Sequence, residues 1–266
     1  FAAQTAGKPM EVDAATIAIE DIITWHEKGL LEPFDWAGVF GSTFSDIKKR
    51  TGHLPAEYQN ESLEFWHLAY GIEYRTDRLS APDIPKTWEG VADPKFSGQL
   101  VLDSGGSPLY YFAPFWGMDR VLKVAAAWKQ AQPLYKNGSQ AIANSIGTGE
   151  ASIGVTSIGT IELNKSKGQP VDWTAPDEIP FTIKYHTVPK GAPHINTARL
   201  WSAWITTEGR PLFEDLEKDG LAWQGEDSYL AKRLTELGTK FNSIETVDQA
   251  KQLKDAQKRI GDLYLK

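Results

Sequence analysis

The chain has 266 residues, 41% apolar and 24% charged, an ordinary globular composition with room for about two domains. Disorder, collagen and coiled coil are excluded as its main theme, and a net charge of −7 disfavours nucleic acid, since phosphate binding needs a basic face. There is no cysteine, which removes thiolate metal sites, thiol catalysis and disulfides together, and no run of ~18 apolar residues to span a membrane.

In chain order, Met10 to Ala15 reads as a strand and Ile19 to Lys28 as a helix, with Ile19, Ile22, Ile23 and His26 at helical spacing and Gly29 as its left-handed stop. Leu63 to Tyr74 is aromatic-rich and extended. Pro82, Pro85 and Pro94 punctuate a loop with one short helix, Thr87 to Val91. Gln99 to Asp103 is a buried-strand candidate, followed by helical runs at Leu109 to Gly117, Asp119 to Gln130 and Ser139 to Thr148. Ala151 to Ser157 and Thr182 to Val188 read as strands, Asn196 to Thr206 as a helix, and Ile244 to Leu263 as an amphipathic helix. Strands alternating with helices argue an α/β fold with largely parallel pairing.

The strongest local signal is Asp103-Ser104-Gly105-Gly106-Ser107-Pro108. A strand ends there, glycines let the backbone come close, Ser107 can cap, and Pro108 suits the first helical position. Backbone N–H groups at such a helix start favour an anion, and open α/β sheets bind ligands at the carboxyl ends of their strands. The bland alternative is a well-capped helix and nothing more. Asn137 or Ser139 would cap the next helix, and Thr156 and Ser157 would add hydroxyl donors. Trp66, Tyr70 and Tyr74 form an aromatic group that is either core or a ligand-stacking wall.

Catalytic signals are poor. Ser45-Asp46-Ile47-Lys48 matches the S-x-x-K of penicillin-recognising serine enzymes, yet neither the K-T-G nor the S-D-N element follows. The five histidines show no ligand spacing, and there is no G-x-S-x-G elbow, dinucleotide fingerprint or P-loop. Glu11/Asp13 and Asp177/Glu178 read as solvated carboxylates.

A series of short segments runs along the chain: Ala6-Gly7-Lys8-Pro9 with Val12-Asp13, Glu27 to Leu31, Tyr74-Arg75-Thr76-Asp77, Pro85 to Glu89, Asp93 to Gly98, and Asn137 to Ala141. Gly149-Glu150, Ile153-Gly154-Val155, Lys190 to His194 and Thr207 to Gly209 complete it. In this order they resemble the type II periplasmic solute-binding proteins of ABC importers, in the group of ferric-ion, thiamine, polyamine and phosphonate binders.

The resemblance implies an α/β chain of two lobes joined by crossing strands, near Ala69 to Tyr74 and Thr182 to Tyr185, with a ligand cleft between. Lobe 1 would hold residues 1–70 and 186–225, and lobe 2 residues 71–185, with 76–98 as a segment that could pack on lobe 1 instead. Residues 226–266 would be C-terminal helices of unassigned lobe. It further implies a first strand-helix-strand region ahead of Phe1, about 60 residues at ~30 per βαβ unit. The implied function is that of an extracytoplasmic solute receptor, a monomer without catalysis or cofactor, partnered by a membrane permease and clamping a small anionic or zwitterionic organic ligand. Its expected contacts are Ser104, Gly105, Gly106, Ser107, Asn137, Ser139, Thr156 and Ser157, with Trp66, Tyr70 and Tyr74 as walls. The alternatives are a ferric or other metal-ion receptor of the same fold and a serine hydrolase. Against the first, Ser157-Ile158-Gly159-Thr160 stands where ferric binders carry tandem tyrosines, and Tyr110-Tyr111 lies on a different helix.

Overall fold

The computed structural model describes residues 10–51, 56–212, 229–244 and 246–265. In chain order the strands and helices are β1 (Ala15–Ala18), α1 (Ile19–Glu27), α2 (Trp36–Phe40), α3 (Ile47–Thr51), β2 (Ser62–Arg75) and β3 (Leu100–Asp103). Next come α4 (Ala113–Trp116), α5 (Met118–Gln130), β4 (Leu134–Lys136), α6 (Ser139–Gly147), β5 (Ile153–Ser157), α7 (Ile158–Ser166) and β6 (Val171–Thr174). Last are β7 (Glu178–Thr187), α8 (Ile195–Ile205), α9 (Tyr229–Glu236), β8 (Lys240–Ser243) and α10 (Val247–Leu265). The chain divides into two compact units, 1–66 with 183–213 and 245–247, and 67–182 with 214–244 and 248–266. β2 and β7 each run through both units, passing from one to the other at Trp66–His67 and Thr182–Ile183. Residues 76–98 belong to the second unit, as does all but the first residue of α10.

In the first unit β1 lies antiparallel to the end of β7, pairing Ala15 with Thr187 and Ala18 with Lys184. The strand thus begins at Ala15 and not at Met10. Asp13, placed in that strand by its sequence, instead accepts the backbone N–H of His194 at 2.6 Å, where α8 begins. α1 buries Ile19, Ile22 and Ile23 as its spacing demands. Trp36, Phe44, Ile47, Leu63, Val188, Ala198 and Ala203 form one apolar cluster.

In the second unit β3 is central and buried, parallel to β4 on one side and to β5 on the other. β5 pairs antiparallel with β2, which also pairs antiparallel with β6, and the start of β7 pairs parallel with β8. Trp88 and Trp128 are fully buried; the Trp128 indole donates to the Trp88 carbonyl at 2.8 Å, and that of Trp88 to the Glu178 carbonyl at 2.6 Å. Glu178 is not simply solvated, because Trp116 Nε1 and Asn242 Nδ2 donate to its two carboxylate oxygens at 2.6 and 2.7 Å. Much of the aromatic content therefore fills cores.

Candidate ligand-binding site

The carboxyl ends of β3, β4 and β5 carry the three turns that the sequence singles out. β3 runs into Asp103 and the 104–108 turn, β4 into Asn137 and Gly138, and β5 into Ser157. Because β2 pairs antiparallel with β5, Tyr70 stands directly opposite Ser157, and Gly71 opposite Thr156. The Thr156 hydroxyl donates to the Ser139 carbonyl at 3.0 Å, which ties the first residue of α6 to the end of β5, one residue from the start of α7. Two nine-residue helices thus begin beside one another, with Gly138 and Ser157 at their cap positions; the Ser157 side chain makes no cap hydrogen bond. The expected cap from Asn137 or Ser139 is not made; the cap position is Gly138, whose φ of +84° suits glycine.

A small hydroxyl-rich group gathers around Tyr70. Tyr70, only 5% exposed, is hydrogen-bonded to Ser107 and Tyr111, and the Ser107 hydroxyl lies 3.3 Å from that of Tyr110. The Tyr110 and Tyr111 rings are 4.2 Å apart, and Tyr111 is 5.8 Å from Tyr70. Burial, reinforced by the neighbouring Tyr110, pushes the Tyr70 phenol well above its ordinary value, so at neutral pH it is a proton-bearing donor. Tyr110 and Tyr111 were not among the expected ligand contacts. Their signal, a tyrosine pair just after a glycine turn, was visible; residues 109–112 form a 3-10 turn in which both tyrosines are buried.

The other expected contacts are placed as follows. Ser104 is exposed, Gly105 and Ser107 are half-buried and Gly106 is buried; Asn137 is exposed and Ser139 half-buried; Thr156 and Ser157 are buried. The expected anion cradle at 104–107 is not available as drawn. No helix of useful length starts there, Ser107 caps nothing, and Pro108 precedes a 3-10 turn followed by the four-residue α4. The Ser107 N–H donates to Asp103 Oδ2 at 3.1 Å, that of Gly106 to the Asp103 carbonyl at 3.1 Å, and that of Ser104 to the Lys136 carbonyl at 2.8 Å. The aromatic group also comes apart. Tyr74 shares Tyr70's face of β2 but lies about 13 Å along it, opposite Asp172, while Trp66 belongs to the first unit.

Other candidates are tied up. Ser45 and Lys48 are exposed in the first unit. A Ser–His contact at 2.9 Å joins Ser202 and His186, but both are buried, and burial pulls His186 down to about 4. His53 lies outside the described residues, as do the motif residues Ala6 to Pro9. Among the described residues no group of three or more His, Asp or Glu side chains is placed to hold a metal ion, and no helix is long and apolar enough to cross a membrane. A cavity of about 290 Å³ in the second unit is lined by Ala113, Met118, Lys251, Gln252 and Asp255, none of them an expected contact.

No family model matches the chain. A Haemophilus influenzae protein described only as "Uncharacterized protein" is 27% identical over 220 residues, covering 76% of this chain. The chain spans 58% of that relative's length. Among solved structures, the periplasmic binding protein AfuA from Actinobacillus pleuropneumoniae, with fructose-6-phosphate bound, is 19% identical with a TM-score of 0.71, over 96% of this chain and 82% of its own. The substrate-binding protein of an ABC transporter from Agrobacterium tumefaciens is 13% identical with a TM-score of 0.73, over 97% and 81%. Ferric iron-binding protein A of Mannheimia haemolytica, in an open conformation, is 16% identical with a TM-score of 0.66, over 96% and 83%. The α/β fold of this chain is that of the periplasmic binding proteins, as the sequence resemblance implied.

Proposed function

We propose that the chain is an extracytoplasmic solute receptor for an ABC importer, binding a small anionic or zwitterionic organic molecule without chemical conversion. The fold supports this reading, since binding proteins of two such kinds share it, and AfuA has a sugar phosphate bound. The observation that carries it is the edge of the second unit where α6 and α7 begin side by side, tied by the Thr156–Ser139 hydrogen bond, with Ser157 at the α7 cap paired across the sheet with Tyr70, whose phenol is hydrogen-bonded to Ser107. Backbone N–H groups and the dipoles of two helices favour negative charge there. The tyrosine rings supply a flat wall for the rest of the ligand. The acidic group of the ligand belongs at the starts of α6 and α7 and not on the Ser104, Gly106 and Ser107 amides, which are already engaged. The receptor acts as a monomer in the periplasm or outside the membrane and hands its ligand to a membrane permease.

The test is a thermal-shift screen of small organic acids, amino acids and sugar phosphates, followed by titration of the hits. A hit with micromolar affinity corresponds to about −8 kcal/mol. Ser157→Ala and Tyr70→Phe are each expected to weaken it about tenfold, the effect of losing one hydrogen bond to a charged group. Affinity unchanged in both variants contradicts the placement of the site.

A further inference from the structure

The Asp103 carboxylate holds two turns at once. Its Oδ2 accepts the N–H of Ser107 at 3.1 Å and its Oδ1 that of Gly138, 35 residues further on, at 3.1 Å. The turn after β3 and the turn that opens α6 are thereby joined through one side chain that is 8% exposed. The glycines of Asp103-Ser104-Gly105-Gly106 serve this arrangement. A Cβ on Gly105 would lie 2.9 Å from Asp103 Oδ2, so the bare backbone is what lets the turn close over the carboxylate. A Cβ on Gly106 would lie 2.5 Å from Ile260 of α10, and that residue's φ is +85°, so the second glycine serves close approach and a left-handed turn. The sequence signal that reads as an anion cradle is therefore a cradle whose anion is built in.

We propose that Asp103 is a specificity-determining residue that acts as a fixed internal anion. It occupies the Ser107 and Gly138 amides, keeps external carboxylates and phosphates off them, and leaves the starts of α6 and α7 as the place for a ligand's acidic group. The last clause rests on the function proposed above; the occupancy of the amides does not, and its test uses no native ligand. Removing the carboxyl group in Asp103→Ala vacates two converging N–H donors in a space the size of the group removed. Formate fits that space and restores the charge.

The experiment is thermal and urea unfolding of wild type, Asp103→Ala and Asp103→Asn in sodium formate against sodium chloride at equal ionic strength. Formate at ten times its dissociation constant shifts the folding equilibrium of Asp103→Ala about tenfold. Wild type and Asp103→Asn, whose site is filled by the side chain, show no such difference. Equal behaviour of Asp103→Ala in the two salts overturns the proposal. If Asp103→Ala fails to fold, amide exchange in Asp103→Asn decides: that side chain keeps only one acceptor oxygen, so exchange at Ser107 or Gly138 speeds up roughly tenfold. Unchanged protection at both amides overturns the proposal.

Discussion

Glu73 shows how much a single side chain can carry. It lies in β2 with no exposed surface, opposite Gly154 and Trp173, and among the described residues neither of its carboxylate oxygens has a hydrogen-bond partner. Burial pushes its carboxyl well above the usual range, so the folded protein holds a proton that the unfolded chain releases near pH 4.5. The sign follows from linkage. The native state binds more protons than the unfolded state above that pH, so the contribution of Glu73 is most favourable below it and is lost as pH rises towards the folded value. In that window its contribution falls by about 1.4 kcal/mol per pH unit. Glu73→Gln removes this slope, and the test is urea unfolding of both proteins from pH 4 to 8. A stability difference that does not change with pH contradicts the burial of a neutral acid. Asp13, Asp77 and Glu150 act in the opposite sense, being held below the usual range chiefly by hydrogen bonds from His194, Arg75 and Lys136 respectively, and they are common to both proteins. No sequence pattern announced Glu73, because a lone acid in an aromatic strand reads as a solvent-facing residue until its neighbours on both sides are known.

Elements with a strong period were legible, as were the short buried strands β3 and β5, while several other short elements were not. α1, α5, α6, α8 and α10 fall close to where the sequence put them; in α8, however, the buried residues are Ala198, Ser202, Ala203 and Ile205, while Leu200 and Trp201 of the expected apolar face are exposed. α7 escaped notice because its start, Ile158-Gly159-Thr160-Ile161, reads like the strand before it, and β6 and β8, with four residues each, depend on partner strands far away in sequence. The 104–107 turn was found but misread: sequence shows that glycines are needed, and only neighbours show for what. Gly106→Ala tests this reading. The added methyl meets Ile260 in a left-handed backbone and should cost about 1–3 kcal/mol. Combined with Ile260→Ala the two losses add to less than their sum, because the steric part vanishes; strict additivity in urea unfolding contradicts the contact. At the start of α6, Ser139→Pro removes one N–H from a first helical position that tolerates proline. Ligand affinity should fall about tenfold with little change in melting temperature, and unchanged affinity would move the acid-binding end away from α6.

At the scale of the whole chain, the fold was readable because many short, individually weak motifs occur in one order, while the ligand contacts were read from local turns that the tertiary structure reuses for its own purposes. Asp103 supplies the negative charge that the 104–107 turn seemed to await, and Tyr110 and Tyr111 join Tyr70 only because the turn after β3 brings them to that residue of β2. The proposed function places a small acidic ligand at the carboxyl edge of the second unit, held through α6, α7 and the Tyr70 hydroxyl group. Native mass spectrometry, on wild type and on the Tyr70→Phe/Ser157→Ala double variant purified alike without denaturation, tests it most directly. A small-molecule adduct on wild type that is lost or strongly reduced in the double variant is the expected result. An adduct held equally by both proteins, or a wild type that takes up no organic acid at any concentration used, contradicts it.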